Sequence, residues 1–253
     1  MPPSEHPDRD RADKVLVARG LFESRASAQA AIAAGRVKVD GQVIRKASEI
    51  ISAAALIEAE AAHPYVSRGG LKLAHALTVF GVDVTGKPCL DLGASTGGFT
   101  DVLLQAGASS VTAIDVGHGQ LHPRIASDPR VTAIEGLNAR DLTRAHLATD
   151  PQIIVCDLSF VSLHKVLAVP LSLAAPGAVL IALFKPQFEV GPENVGKGGI
   201  VSNQEAVDAA LAAFPLFLSE HGWEAAVPIS SPIEGGDGNR EYLFLASSSA
   251  SRA

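Results

Sequence analysis

One stretch constrains what this chain can fold into more than any other: Cys89-Leu90-Asp91-Leu92-Gly93-Ala94-Ser95-Thr96-Gly97-Gly98-Phe99-Thr100. An apolar run containing an acid opens directly into a glycine-rich turn, and a helical pattern follows. That is a strand feeding a loop almost without side-chain bulk, where backbone N–H groups can approach a bound ligand closely. Strands are expected near 88–92, 111–115, 131–134, 152–156, 178–184, 224–229 and 241–246, with helical stretches between most of them. This alternation predicts an α/β fold built on a doubly wound parallel sheet. Apolar residues make up 47% of the chain, with few aromatics, as suits a sheet covered by helices on both faces.

Charge is distributed unevenly. The whole chain carries −6, yet the segment from Arg11 to Lys46 holds eight Lys/Arg against Asp13, Glu23 and Asp40. Such asymmetry points to a basic docking module fused to an acidic body. Residues 1–10 read as a disordered tail. A helix over 11–19 breaks at Gly20, and Ser24 caps a second helix running from Arg25 to Ala34, with Gly35 just past its end. Val37-Lys38-Val39, Asp40-Gly41 and Gln42-Val43-Ile44 then read as a hairpin with a type I′ turn. Through Ser24-Arg25, Gly35-Arg36-Val37 and Val39-Asp40-Gly41 this segment resembles the S4 RNA-binding domain, a small α+β module. The resemblance implies that Arg11, Arg25, Arg36 and Lys38 meet RNA phosphates, with strongly salt-dependent affinity. Ala61-Ala62-His63-Pro64 is the expected linker.

The glycine turn departs from a dinucleotide-binding G-x-G-x-x-G, because Ser95 replaces the glycine that admits a pyrophosphate. Asp115 lies twenty-two residues after Gly93 at the close of the next strand, where a carboxylate can accept hydrogen bonds from ribose hydroxyls. The short loop, with Asp91 before it and Asp157 at another strand's end, favours S-adenosylmethionine. A second glycine cluster, Gly191 to Gly198, satisfies G-x-x-x-x-G-K but then offers Gly198 where a P-loop needs a hydroxyl for Mg²⁺. That excludes an NTPase and leaves Lys197 as an RNA phosphate contact or a surface charge. Cys89 and Cys156 sit in apolar runs as small core residues, and no Cys/His cluster suggests a metal. The longest apolar stretch, Val169 to Phe184, is interrupted by Pro170, Pro176 and Gly177 and is too short to span a bilayer. A cytoplasmic protein without a membrane partner is expected.

Seven ordered blocks extend the resemblance to the whole chain: Tyr65-Val-Ser-Arg-Gly-Gly70, Gly93 to Thr100, Asp115-Val-Gly117, Asp157-Leu-Ser-Phe160, Lys185-Pro-Gln-Phe-Glu-Val190, Gly196-Lys-Gly-Gly199, and Ser231-Pro-Ile233 with Gly238-Asn-Arg-Glu241. Together they resemble the TlyA family of rRNA 2′-O-methyltransferases, an S4 domain followed by an FtsJ-like methyltransferase domain. The resemblance implies S4-like residues 11–60, a linker over 61–64, a methyltransferase domain over 65–246 and a frayed end from 247. It implies a Lys-Asp-Lys-Glu tetrad at Lys72, Asp157, Lys185 and Glu241. Cofactor contacts are expected at Asp91, Gly93, Ser95, Gly97, Gly98, Phe99, Asp115, Asn138 and Asp157, and Arg68 is a candidate for an RNA phosphate contact or a helix-start ion pair. The implied substrate is a cytidine of ribosomal RNA in either subunit.

A ribose 2′-hydroxyl must lose its proton as it attacks the methyl group. Lys185 is the candidate base, and it must first be neutral. An ordinary lysine, with a pKa of about 10.4, is neutral on the order of once in a thousand near pH 7.4. Shifting that value to roughly 7–8 takes about 3–4 kcal/mol of environmental bias. A charged Lys185 would instead stabilise the developing alkoxide. Surface ion pairs Lys72–Glu241 and Asp157–Lys185 would account for the charges but not for their positions at strand ends. Phe160 and Phe188 are candidates either for stacking on a splayed base or for core packing. Two rival functions are a non-catalytic RNA-binding or ribosome-assembly factor and a membrane-active haemolysin.

Overall fold

A computed structural model of the chain describes residues 9–249 and divides it into two compact units, residues 1–64 and 65–253. In the first unit, strand β1 (Arg9–Arg11) leads into helices α1 (Ala12–Ala18) and α2 (Arg25–Ala33). Ser24 begins α2 as expected: its Oγ accepts from the Ser27 amide at 3.2 Å, and Ser27 returns the bond to the Ser24 amide. Four short strands follow, β2 (Val37–Val39), β3 (Gln42–Val43), β4 (Ile50–Ser52) and β5 (Ile57–Ala59). The β2–β3 turn places both Asp40 (φ +50°) and Gly41 (φ +80°) in the left-handed region, as a type I′ turn requires. Asp40 tolerates this because its carboxylate also accepts from the Leu56 amide at 2.9 Å. Leu16, Ile32, Val37 and Ile51 anchor the small core.

Arg9 and Asp10, expected in a disordered tail, instead pair antiparallel with Ser52 and Ile51. Nothing in Arg-Asp-Arg alternates in polarity, so the strand rests on backbone bonds to β4 rather than on a buried face. The rest of the expected tail, residues 1–8, lies outside the described residues.

The second unit begins with helix α3 (Gly69–Phe80) and carries one sheet. Its parallel strands are β6 (Pro88–Leu92), β7 (Ser110–Asp115), β8 (Val131–Glu135), β9 (Ile153–Cys156) and β10 (Val179–Phe184). Helices α4 (Gly98–Gln105), α5 (Pro123–Ala126), α6 (Ala168–Ser172), α7 (Pro186–Glu189) and α8 (Gln204–Glu220) punctuate them. Three antiparallel strands complete the edge: β11 (Trp223–Ala225), β12 (Ile229–Ser230) and β13 (Tyr242–Ser248). The order is β11-β13-β10-β9-β6-β7-β8, with β12 also on β13. The sheet is thus doubly wound, parallel at its centre and antiparallel at one edge.

Alternation along the strands sorts the core into two layers. Leu90, Leu92, Ile154, Leu180 and Phe184 face α6 and α8, while Cys89, Val155, Ile181 and Leu183 face α3 and α4. The two cysteines fall in opposite layers, and burial pushes the Cys89 thiol up to about 12. The single strand expected over 224–229 is two, because Pro228 has no N–H for the ladder. Ser247 and Ser248, expected to fray, extend β13 against Val179 and β11.

Candidate active site

The chain leaves β6 and turns to β7 and β8 on one side, then returns to place β9 on the other. The crevice at that reversal, beyond the carboxyl ends of β6 and β9, is where open α/β sheets hold ligands. The glycine-rich turn lies here, and close approach dictates its glycines. A Cβ on Gly93 (φ +81°) would stand 2.7 Å from the Asp157 carbonyl oxygen, and one on Gly98 would stand 2.1 Å from Ser67 Oγ. The turn is therefore pressed between the segment after β9 and the segment that opens α3. A cleft of about 300 Å³ follows it, lined by Ser67, Arg68, Gly69, Lys72, the turn itself with Phe99, and Asp157, Ser159, Lys185, Ile233 and Glu234.

Four charged side chains meet at this cleft from four elements. Lys72 on the first turns of α3 pairs with Glu241, which immediately precedes β13. Lys185, just past β10, pairs with Asp157, just past β9, at 2.6 Å and donates to Ser159 Oγ at 2.9 Å. The pairs are those a surface explanation would name, but they are not on the surface: Lys72, Lys185 and Glu241 are 8%, 9% and 2% exposed. Lysines and acids are almost never buried unless paired, and here each is. Lys72, Asp157 and Lys185 all line the cleft, so the two pairs come to it together.

The expected cofactor residues divide into two groups. Gly93, Ser95, Gly98, Phe99 and Asp157 line the cleft. Gly97, Asp91, Asp115 and Asn138 lie around the turn, outside that lining. Asp91 is fully buried on the α4 side of β6 and accepts from Thr100 Oγ1 at 2.6 Å. Alternation within Cys89-Leu90-Asp91-Leu92 turns it away from the crevice. Burial pushes its carboxyl up to about 7, opposed by the Thr100 hydrogen bond and reinforced by the charge of Asp157. Asp115 is half-buried and accepts from the Ser95 amide at 2.8 Å and the Gly117 amide at 2.7 Å. It ties the loop after β7 to the glycine turn. Asn138 caps the short helix Ala139–Asp141, its Oδ1 accepting from Arg140 N at 3.1 Å and Nε at 3.2 Å.

The expected RNA contacts lie in both units. Arg68 lines the cleft, and Lys197 opens the glycine turn Lys197–Gly199, whose Gly198 and Gly199 take left-handed φ. In the first unit, Arg11 and Arg25 both bind the fully buried carboxylate of Asp13, at 3.0 and 2.8 Å, and Gln29 adds a third donor at 2.7 Å. The hydrogen bonds, that of Arg11 foremost, hold the Asp13 carboxyl well below the usual range. Both guanidinium groups remain partly open, at 39% and 51% side-chain exposure. Arg36 pairs with Glu60 at 3.1 Å and Lys38 with Glu58 at 3.4 Å, all four side chains exposed.

Sequence reasoning did not single out Ser159, Ser67 or Asp13. Ser159 stands two residues after Asp157 inside a block already recognised, which was the available signal. Ser67 stands inside the Tyr65–Gly70 block in the same way, whereas Asp13 carried no such signal, because its importance comes from what packs onto it. Among the described residues no helix is long and apolar enough to cross a membrane.

Comparison with known proteins agrees with this geometry. Residues 65–247 match the FtsJ-like methyltransferase family and residues 10–57 match the S4 domain. The 16S/23S rRNA (cytidine-2′-O)-methyltransferase TlyA of Mycobacterium tuberculosis is 41% identical over 97% of this chain and 92% of its own. Hemolysin A of Brachyspira hyodysenteriae is 39% identical over 92% of this chain and 98% of its own. A solved structure from Streptococcus thermophilus that also carries a hemolysin name superposes with a TM-score of 0.75 at 37% identity, covering 96% of this chain and 90% of that one. An S4 domain followed by an FtsJ-like methyltransferase domain, with 41% identity to TlyA over 97% of the chain, makes this chain a member of the TlyA family of methyltransferases.

Proposed function

We propose that the protein transfers a methyl group from S-adenosylmethionine to the 2′-hydroxyl of a ribose, that of a cytidine in ribosomal RNA. The observation that carries this reading is the buried cluster Lys72–Glu241 and Asp157–Lys185 at the mouth of the glycine-turn cleft. A scaffold that only bound RNA would gain nothing from two lysines held at 8% and 9% exposure beside a cleft.

The residues present fit the cofactor. The turn from Gly93 to Gly98 admits no side chain at two of its glycines, and the cleft beside it reaches the lower end of the size range of small-molecule sites. Gly93, Ser95, Gly98 and Phe99 would hold the ligand against β6, with Asp157 supplying negative charge next to a cationic sulfonium. Asp91 and Asp115 act from behind by fixing the turn. When bound, S-adenosylmethionine supplies an electrophilic methyl group; the protein must supply orientation and a destination for one proton.

Lys185 is central to both. An ammonium has three N–H donors; one of Lys185's goes to Ser159 Oγ, and Asp157 stands beside the ammonium as its ion-pair partner at 2.6 Å. A donor not held by Ser159 is left for the oxygen of the attacking hydroxyl and stabilises the alkoxide as it forms. To act as base, Lys185 must first hand a proton to Asp157, 2.6 Å away, and then take the hydroxyl's proton on the same Nζ. Lys72 and Glu241 hold the opposite wall of the cluster.

Target presentation falls to Phe160. Its ring is 90% exposed, its backbone takes φ +66°, and its centroid lies 5.4 Å from that of Phe188. Such exposure removes core packing as its role and suits stacking on an unstacked base. Arg68 reaches the same cleft and suits a phosphate. The S4 unit would bring the protein to the RNA through Arg11, Arg25, Arg36 and Lys38, in the basic stretch between Arg11 and Lys46.

The test is transfer of labelled methyl from S-adenosylmethionine to isolated ribosomal subunits by wild type and Lys185→Ala. Alkali-resistant label at one nucleotide of wild-type-treated RNA is expected. The variant should transfer none while binding the cofactor unchanged. Full activity of Lys185→Ala would remove the assignment, and wild-type cofactor binding without transfer to either subunit would remove the substrate.

A further inference from the structure

Glu189 is a buried acid for which the reaction has no use. It ends α7, four residues after Lys185, and its side chain is only 2% exposed. Its two oxygens are engaged by the loop that follows β9: Oε1 accepts from the Leu163 amide at 2.8 Å, and Oε2 accepts from Ser162 Oγ at 2.6 Å. His164 Nδ1 lies 3.4 Å from Oε2 and 3.3 Å from Ser162 Oγ, while its ring packs edge-on against Phe214 and Phe217. A carboxylate taken out of water is costly unless its bonds are made, and here they are made to one short segment.

That segment is the one that carries Asp157, Ser159 and Phe160. It runs alongside Lys185–Glu189 as a ladder with rungs in order: Asp157 and Ser159 on Lys185, Phe160 on Phe188, and Ser162 with Leu163 on Glu189. Phe160 lies between the polar rungs with φ +66°, a conformation that bulky residues rarely adopt. Its ring, 90% exposed, gains almost no burial to offset that strain. A strained residue persists only where its surroundings over-determine it. Here the determination comes from both ends, at Ser159 and at Ser162.

We infer that Glu189 is a positioning residue: its carboxylate clamps the loop after β9 and thereby holds Phe160 out as a platform for the target nucleotide. The inference rests on the function proposed above. Glu189 acts through the loop alone, by way of Ser162, Leu163 and His164. Removing the carboxylate frees the far end of the loop, lets Phe160 relax toward ordinary φ, and leaves the glycine turn untouched.

The experiment compares wild type, Glu189→Ala, Glu189→Gln, Phe160→Ala and the double variant Phe160→Ala/Glu189→Ala in the full chain. Methyl transfer to ribosomal subunits gives kcat and KM, and titration calorimetry gives the S-adenosylmethionine Kd. Glu189→Ala should lower kcat/KM on the order of tenfold and leave the cofactor Kd within about twofold. Glu189→Gln should recover most of the loss, since its carbonyl still accepts from the Leu163 amide and its NH2 can donate to a rotated Ser162 hydroxyl. In the Phe160→Ala background, Glu189→Ala should cost no more than about a further twofold, because two residues acting through one element are not additive. Fully multiplicative losses, or a cofactor Kd that weakens in step with activity, would overturn the clamp and leave a general structural role. If Glu189→Ala fails to fold, Ser162→Ala removes a single rung and must show the same pattern at smaller size. A wild type inactive on both subunits would refute the function, whereas an active wild type with additive losses refutes only the clamp.

Discussion

Replacing Lys72 by methionine removes the ammonium from a carboxylate that has almost no access to water. Glu241 is 2% exposed, and its partner's side chain 10% exposed. Breaking one side of a buried pair costs about 3–5 kcal/mol, because the remaining charge is left without compensation. The slight opening at the Lys72 end lets water reach part of the vacated space, which places the expected loss near the lower bound, about 3 kcal/mol. For a domain of this size each kcal/mol moves the melting temperature by about 2–4 °C, so Lys72→Met should melt roughly 6–12 °C below wild type. Glu241→Gln should cost less, since the ammonium left behind can turn toward the cleft. The double variant Lys72→Met/Glu241→Gln carries no uncompensated charge and should return to within about 1 kcal/mol of wild type. Activity should not return with it: all three variants lack one or both members of the cluster that orients the reacting hydroxyl. Thermal melts and methyl transfer, run on the same preparations, separate the two readouts. A double variant that melts as low as Lys72→Met would show that the charges do not compensate one another. One that regains turnover along with stability would show the pair to be a structural fixture and not part of the reaction machinery.

Two further outcomes follow from the glycine turn and the acid beneath it. Gly93→Ala must place a Cβ 2.7 Å from the Asp157 carbonyl at φ +81°, whereas Gly119→Ala meets φ +64° with nothing within 4 Å. Strain alone costs Gly119→Ala about 1–2 kcal/mol, and overpacking against backbone raises Gly93→Ala to about 2–5 kcal/mol. Equal urea midpoints for the two would contradict the close approach. Asp91 has its carboxyl raised from 3.8 to about 7, so the folded chain keeps a proton that the unfolded chain releases. Its contribution is complete below pH 4 and is lost as pH rises toward 7, by up to about 1.4 kcal/mol per unit. The stability of Asp91→Asn relative to wild type should therefore rise between pH 5 and 7 and level off near 8. A difference independent of pH, measured by urea unfolding, would refute the shift.

Much of the site was legible in the chain because its parts are local. A strand that runs into a glycine-rich turn is written in consecutive residues, and so is a Ser24 cap or an Asp40-Gly41 turn. Acids and lysines at strand ends could be placed at the crevice because strand order in such sheets is restricted. Asp91 shows the limit of that reasoning. Its position before the turn suggested the cofactor, and what the sequence did not show is its burial and its bond from Thr100 on α4. The β1 strand shows another limit, because a pairing made only by backbone bonds to Ile50–Ser52 leaves no signature in side-chain polarity.

Local propensity and periodicity by themselves determined most of the elements and the glycine turn, while the four charged residues were named only through the family resemblance of the blocks that contain them. Only the tertiary structure decided who pairs with whom. Lys72 meets Glu241 across 169 positions, Lys185 reaches Ser159 as well as Asp157, Arg11 and Arg25 share Asp13, and Glu189 secures the loop that bears Phe160. Periodicity states which face a side chain occupies. Its partner, burial and protonation are properties of the space between elements, and that space exists only once the strands have taken their order.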